Sequence, residues 1–103
     1  HRNIAFAGDA AGLTHPITGA GISAAVQSGE RAAQAAQALL GGNAGAFAGY
    51  EEDMRGQFGP SLERALARRR ELEQIWNTPR AANDAAHRRG WIAFDEYYRD
   101  AAA

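Results

Sequence analysis

The chain has 103 residues, a formal net charge of −1, no cysteine and no lysine. That length allows one small domain at most, and the balanced charge gives no basis for binding nucleic acid or an anionic membrane surface. The absence of cysteine excludes a disulfide framework, thiolate chemistry and cysteine-ligated metal.

No apolar run approaches the roughly 20 residues of a spanning helix, and no signal-peptide pattern is present. A cytoplasmic location is therefore expected. Apolar residues make up 46% of the chain, but many are alanine, which buries little area. The expected core rests on Ile4, Phe6, Leu13, Ile17, Ile22, Val26, Leu39, Leu40, Phe47, Leu62, Leu66, Leu72, Ile75, Trp76, Trp91, Ile92 and Phe94. At roughly 25 cal/mol per Å² of buried apolar area, this set competes poorly with about 1.5 kcal/mol of ordering entropy per residue. The chain therefore reads as leaning on something outside itself. It also begins at His1 in an apolar segment rather than at Met, which reads as an N-terminal truncation.

Taken in order, Asn3 to Ala7 (NIAFA) is a short apolar run stopped by Gly8-Asp9. Its length predicts a buried strand, yet no second strand is evident to satisfy its backbone groups. A loop with Gly12 and Pro16 follows. From Gly19 to about Leu40 the apolar spacing is helical, and Gly41-Gly42-Asn43 ends it. Gly29 within it costs about 1 kcal/mol relative to alanine, which close packing against another backbone would explain. A second helix is predicted over Ala44 to Gln57, with a kink or new start at Pro60. A third runs from Ser61 to Trp76, with Leu62, Leu66, Arg69, Leu72 or Glu73, and Trp76 on one stripe and Arg68-Arg69-Arg70 as a solvated face. Thr78-Pro79 signals another helix start, and that helix is expected to reach Arg89 before Gly90 stops it. The tail from Trp91 to Arg99 is aromatic and amphipathic.

Chemistry concentrates in Gly8-Asp9-Ala10-Ala11-Gly12 and Pro16-Ile17-Thr18-Gly19-Ala20-Gly21-Ile22. An acidic side chain would stand at the C-terminal edge of a strand, where α/β sheets bind ligands. Small residues let a backbone approach closely. A glycine-rich turn then opens into a helix whose N-terminus carries free N–H groups and about half a positive charge. That combination suits a ligand bearing both hydroxyls and developing negative charge.

These two blocks, in this order, resemble the second flavin-binding motif of the geranylgeranyl reductases and the related aromatic-ring flavoprotein monooxygenases. The resemblance covers about Arg2 to Ala36, a third of the chain. It implies a fragment that is mainly α. One N-terminal strand would belong to an incomplete Rossmann-like FAD-binding α/β domain (residues 1–42), followed by a helical C-terminal region (43–103). It implies FAD as cofactor and NAD(P)H as candidate electron donor. The implied cofactor-binding residues are Gly8, Asp9, Ala10, Gly12, Pro16, Thr18, Gly19, Ala20, Gly21 and Ile22. In that family the aspartate holds the ribityl chain and the helix start faces the flavin pyrimidine. By the same resemblance the partners are the missing N-terminal part of the chain and a small hydrophobic substrate, with a membrane-peripheral position as the alternative location. The family's first motif, a strand followed by Gly-x-Gly-x-x-Gly and a helix, is absent, so the isolated piece is expected to be inactive. A catalytic role for His15 is weighed against capping of a turn, and flavin contact by Thr18 against helix capping. The alternative functions are flavin-dependent hydroxylation and a non-enzymatic helical interaction module.

Overall fold

A computed structural model describes residues 3–100. Three α-helices dominate: α1 (Ile22–Leu40), α2 (Ala46–Ile75) and α3 (Asp84–Arg89), with short 3₁₀ turns at Gly8–Ala11, Pro79–Ala82 and Asp95–Tyr98. No strand is present among the described residues, which corrects the strand expected over Asn3 to Ala7. The backbone there is extended, with Ala7 at φ −134° and ψ 157°. A strand exists only when its N–H and C=O groups meet a neighbour's, and no such neighbour lies within the described chain. The Rossmann-like part of the expected fold therefore has no support in the described chain, and the mainly α part stands.

α1 ends where the glycines said it would. Gly42 adopts φ 106°, a conformation that side chains resist, and the Gly42 and Asn43 amides close back onto Leu39 and Ala38 in the manner of a glycine C-cap. The chain then reverses through a five-residue link into α2, forming an αα-hairpin. Gln57 Nε2 donates to Gln27 Oε1 across the pair at 2.6 Å.

α2 runs through Pro60 without a break, which corrects the expected new start there. Proline clashes with the carbonyl four residues back and removes one helical bond. Here that residue is Gly56, Gly59 precedes the ring, and Pro60 itself is exposed. Gly56 is exposed as well, so its freed carbonyl faces the open side of α2. Gly29 also differs from expectation: a Cβ there would meet nothing within 4 Å, so no backbone of this chain explains it.

Beyond α2 the chain folds back. The single helix expected from Thr78 to Arg89 divides into the Pro79–Ala82 turn and α3, because Asn83 is extended and its Oδ1 accepts from the Ala85 amide at 2.8 Å. This side-chain cap restarts the helix, and Gly90 ends it.

The core is not the expected one. Of the large apolar residues on that list, Leu13 alone is buried; the other buried side chains are those of Ala46, Tyr50, Met54, Ala65 and Tyr97, with Ser28 and Arg68. Leu66, Trp76, Trp91 and Ile92 are exposed, so the predicted stripe on the Ser61 to Trp76 helix is rotated toward Ala65, Arg68 and Leu72. The Cα radius of gyration is 17.2 Å, against about 13 Å for a compact domain of this length.

Candidate functional site

The glycine-rich loop is built from its backbone outward. Gly8 sits at φ 58° and its amide donates to Ser28 Oγ of α1 at 2.9 Å. A Cβ on Gly8 would stand 3.2 Å from Ala25 Cβ, so close approach and left-handed backbone both require glycine here. The Leu13 amide returns to Gly8 O at 3.2 Å and the Gly12 amide to Asp9 O at 3.0 Å. From the other helix, Tyr50 Oη donates to Phe6 O. The loop is thus fastened to both α1 and α2. Burial raises the Tyr50 pKa from 10.0, which keeps this phenol a donor.

Asp9 stands on that fastened loop with its side chain exposed. Thr14 Oγ1 donates to Asp9 Oδ1, which orients the carboxylate and leaves Oδ2 free among the described residues. The position a Gly21 Cβ would take lies 3.1 Å from Asp9 Oδ1, so the carboxylate stands against the start of α1. Gly21 is the N-cap of that helix and no side chain caps it. Its first-turn N–H groups therefore keep their positive end open.

A second turn spans Thr14 to Ala20. The His15 amide donates to Ala20 O at 2.8 Å and the Gly19 amide to His15 O at 2.9 Å, with Gly19 at φ 72°. Thr18 Oγ1 accepts from the Ala20 amide at 3.2 Å, so Thr18 closes its own turn and is not the cap of α1. His15 Nδ1 accepts from the Ile17 and Thr18 amides at 3.3 and 3.2 Å. Two donors facing Nδ1 place the imidazole proton on Nε2, which lies 3.0 Å from Tyr97 Oη. Burial lowers the His15 pKa from 6.5. His15 is thus a neutral turn cap in this arrangement.

The structure brings Gly8, Asp9, Ala10, Gly19, Gly21 and Ile22 together as the walls of one open groove, with Ala7 and Ala25. Gly12, Thr18 and Ala20 shape the turns behind it. Pro16 lies in a different groove with Ile17, Arg69, Leu72 and Trp76, where Arg69 Nη1 donates to Pro16 O at 3.1 Å. Sequence reasoning missed Ser28, Tyr50 and Tyr97, which hold these loops from a distance. Ser28 sits six residues beyond the start of α1 in a run of small residues, and that placement was the one available signal. Among the described residues no group of three His, Cys, Asp or Glu side chains could hold a metal ion, and no helix is long and apolar enough to cross a membrane.

The arrangement offers a carboxylate acceptor, exposed backbone beside glycines and the positive end of a 19-residue helix within one groove. No family model, no curated protein and no solved structure matches this chain.

Proposed function

We infer that this chain is the C-terminal part of an FAD-dependent oxidoreductase similar to the geranylgeranyl reductases, contributing one wall of the flavin site. The observation that carries the reading is the Asp9 carboxylate set against the uncapped glycine start of α1. A flavin presents hydroxyls on its ribityl chain and gathers negative charge on its pyrimidine when reduced. A carboxylate with a free oxygen accepts from a hydroxyl, and a helix N-terminus favours negative charge. The groove is lined by glycines and alanines that admit a flat ring close to the backbone.

When bound, FAD would supply hydride transfer to an unsaturated or hydrophobic acceptor, with NAD(P)H as the proposed electron donor. The residues proposed to hold it are those of the Asp9 groove: Gly8, Asp9, Ala10, Gly19, Gly21 and Ile22. Gly12, Thr18 and Ala20 keep the two turns in shape. Asp9 fixes orientation, and the α1 terminus stabilises charge as it develops.

Support for a missing portion of chain comes from the surface. Ile22, Val26 and Leu40 are 85%, 65% and 90% exposed, and they share a face of α1 with Gly29, whose open side meets nothing. Ile4 and Phe6 on the extended segment are also exposed. A sheet laid against these groups would use both the apolar stripe and the flat spot at Gly29. The proposed location is the cytoplasm, or its membrane surface.

The test is Asp9→Ala in the full-length protein. Loss of a charged hydrogen bond, worth about 1.5–3 kcal/mol, predicts FAD binding weakened by roughly tenfold to a hundredfold. Unchanged flavin occupancy would remove Asp9 from the site.

A second reading is a helical interaction module, favoured by the absence of a strand among the described residues. A stable, monomeric, flavin-free chain whose folding needs no other segment would select it over the flavoprotein.

A further inference from the structure

The C-terminal tail reaches the glycine-rich loops through one side-chain pair. Tyr97 is 3% exposed and lies 82 positions from His15 in sequence. Its hydroxyl meets His15 Nε2, and the far nitrogen of the same ring accepts the Ile17 and Thr18 amides. The opposite end of Tyr97 is held as well, since the buried Arg68 donates from Nε to Tyr97 O at 2.8 Å. A continuous run of hydrogen bonds thus joins α2, the tail and the turn that carries Pro16 to Thr18.

This run depends on one protonation state. A proton added at Nδ1 turns an acceptor into a donor facing two N–H donors. All three contacts of the ring cannot then persist in this geometry. We propose that His15 and Tyr97 form an acid-released latch: protonation of His15 opens the Pro16–Thr18 turn and frees the Asp95–Tyr98 segment from it.

The surroundings give the imidazolium no shelter. Across the ring stands the Tyr97 phenol, edge-on to Tyr98. From α2, Arg69 reaches Pro16 O, Arg68 reaches Tyr97 O, and Arg64 lies over the Tyr98 ring. On the loop side Asp9 is engaged with Thr14. Among the described residues the ion pairs join arginines to Glu51, Glu71, Glu73 and Glu96, and none includes His15. Burial lowers the His15 pKa below its ordinary 6.5. The latched state is therefore fully favoured above the unfolded value and loses that advantage as pH falls through the lowered one. The latch requires only these contacts and stands whether or not the groove takes a flavin.

Hydrogen exchange of the full chain tests it, read over residues 15–20 and 94–99 and corrected for intrinsic rates. Both segments are expected to be protected at about pH 8 and to exchange about tenfold faster at about pH 5, as the lost bonds imply. His15→Asn keeps an oxygen acceptor for the Ile17 and Thr18 amides but neither titrates nor reaches Tyr97. Its turn is expected to hold at both pH values, with residues 94–99 loosened at both. Tyr97→Phe keeps the ring that buries His15 but removes the Nε2 partner, so by imidazole NMR the His15 pKa is expected to stay below 6.5 while residues 94–99 loosen at both pH values. Equal protection of the wild-type segments at both pH values would overturn the latch, as would a lack of protection at the higher one. So would a His15→Asn variant that retains the wild-type pH response.

Discussion

The two ends of α2 keep company with very different structures. Near its start lie the extended segment, the glycine loops and α1, where Ile22, Val26 and Leu40 are mostly in water. Near its end lie α3 and the tail, where polar groups fasten to one another. Arg68 is 5% exposed and donates to Tyr97 O, Arg99 O and Glu71. Arg89 pairs with the same Glu71 and with the Glu96 and Arg99 carbonyls. Arg88 meets Glu96 at 2.9 Å and lies over the Phe94 ring at 4.3 Å. The tail region satisfies its buried polar groups from within, apart from the Tyr97 hydroxyl that meets His15, whereas the groove region is held by its turns and by the Ser28 and Tyr50 side chains and leaves its apolar face unused. A surface that is shaped but not covered is what a binding or docking face needs.

The contrast can be broken most severely at Arg68. Arg68→Ala would strip the Tyr97 carbonyl of its donor and leave the Arg99 carbonyl and Glu71 to Arg89 alone. Breaking a buried hydrogen-bonded charge costs about 3 kcal/mol or more, measurable as a fall in the urea midpoint, with the tail the first segment to exchange. At Gly8 the effect is smaller. Gly8→Ala forces a side chain to φ 58° and against Ala25, for about 1–2 kcal/mol, and it should loosen the loop while the tail stays protected. Equal loosening at both ends would mean that the two regions are one cooperative unit.

Acid should act on the tail through Glu71. The hydrogen bond from Arg89 is the largest cause holding its pKa below 4.5, with the Arg68 charge adding to it against burial. A carboxylate depressed on folding stabilises above its unfolded pKa and loses that contribution as pH falls through the folded value. Tail stability should thus decline below about pH 4.5, and Glu71→Gln should flatten the decline. The smallest effect is expected on the bare face of α1. Ile22→Gln and Val26→Gln should each change the stability of this chain by less than about 0.5 kcal/mol, by thermal or denaturant unfolding. A large loss would show that the face is already packed.

Much of the local structure was legible because its causes are local. Glycines at Gly41, Gly42 and Gly90 stop helices by their own backbone freedom, and helical spacing marked α1 and most of α2. Other features depended on distant partners and left no local trace. Pro60 reads as a break, yet Gly56 and the exposed side of α2 let the helix pass. Asn83 reads as helix interior, yet its side chain restarts the helix. The groove residues were legible as a loop opening into a helix, but their division between two grooves was not, because Arg69 sets it from 53 positions away.

The sequence alone determined where helices stop, which loops require glycine, and that a carboxylate stands at the start of a long helix. These follow from backbone sterics and hydrogen bonding within a few residues. The tertiary structure alone decided that Asn3 to Ala7 is extended without forming a strand among the described residues, and that the first of three consecutive arginines is buried while the other two are exposed. It also decided that His15 spends both nitrogens on the fold. Strand pairing, burial of charge and tautomer choice are set by groups far apart in sequence, and only their meeting in space fixes the energies that choose among them.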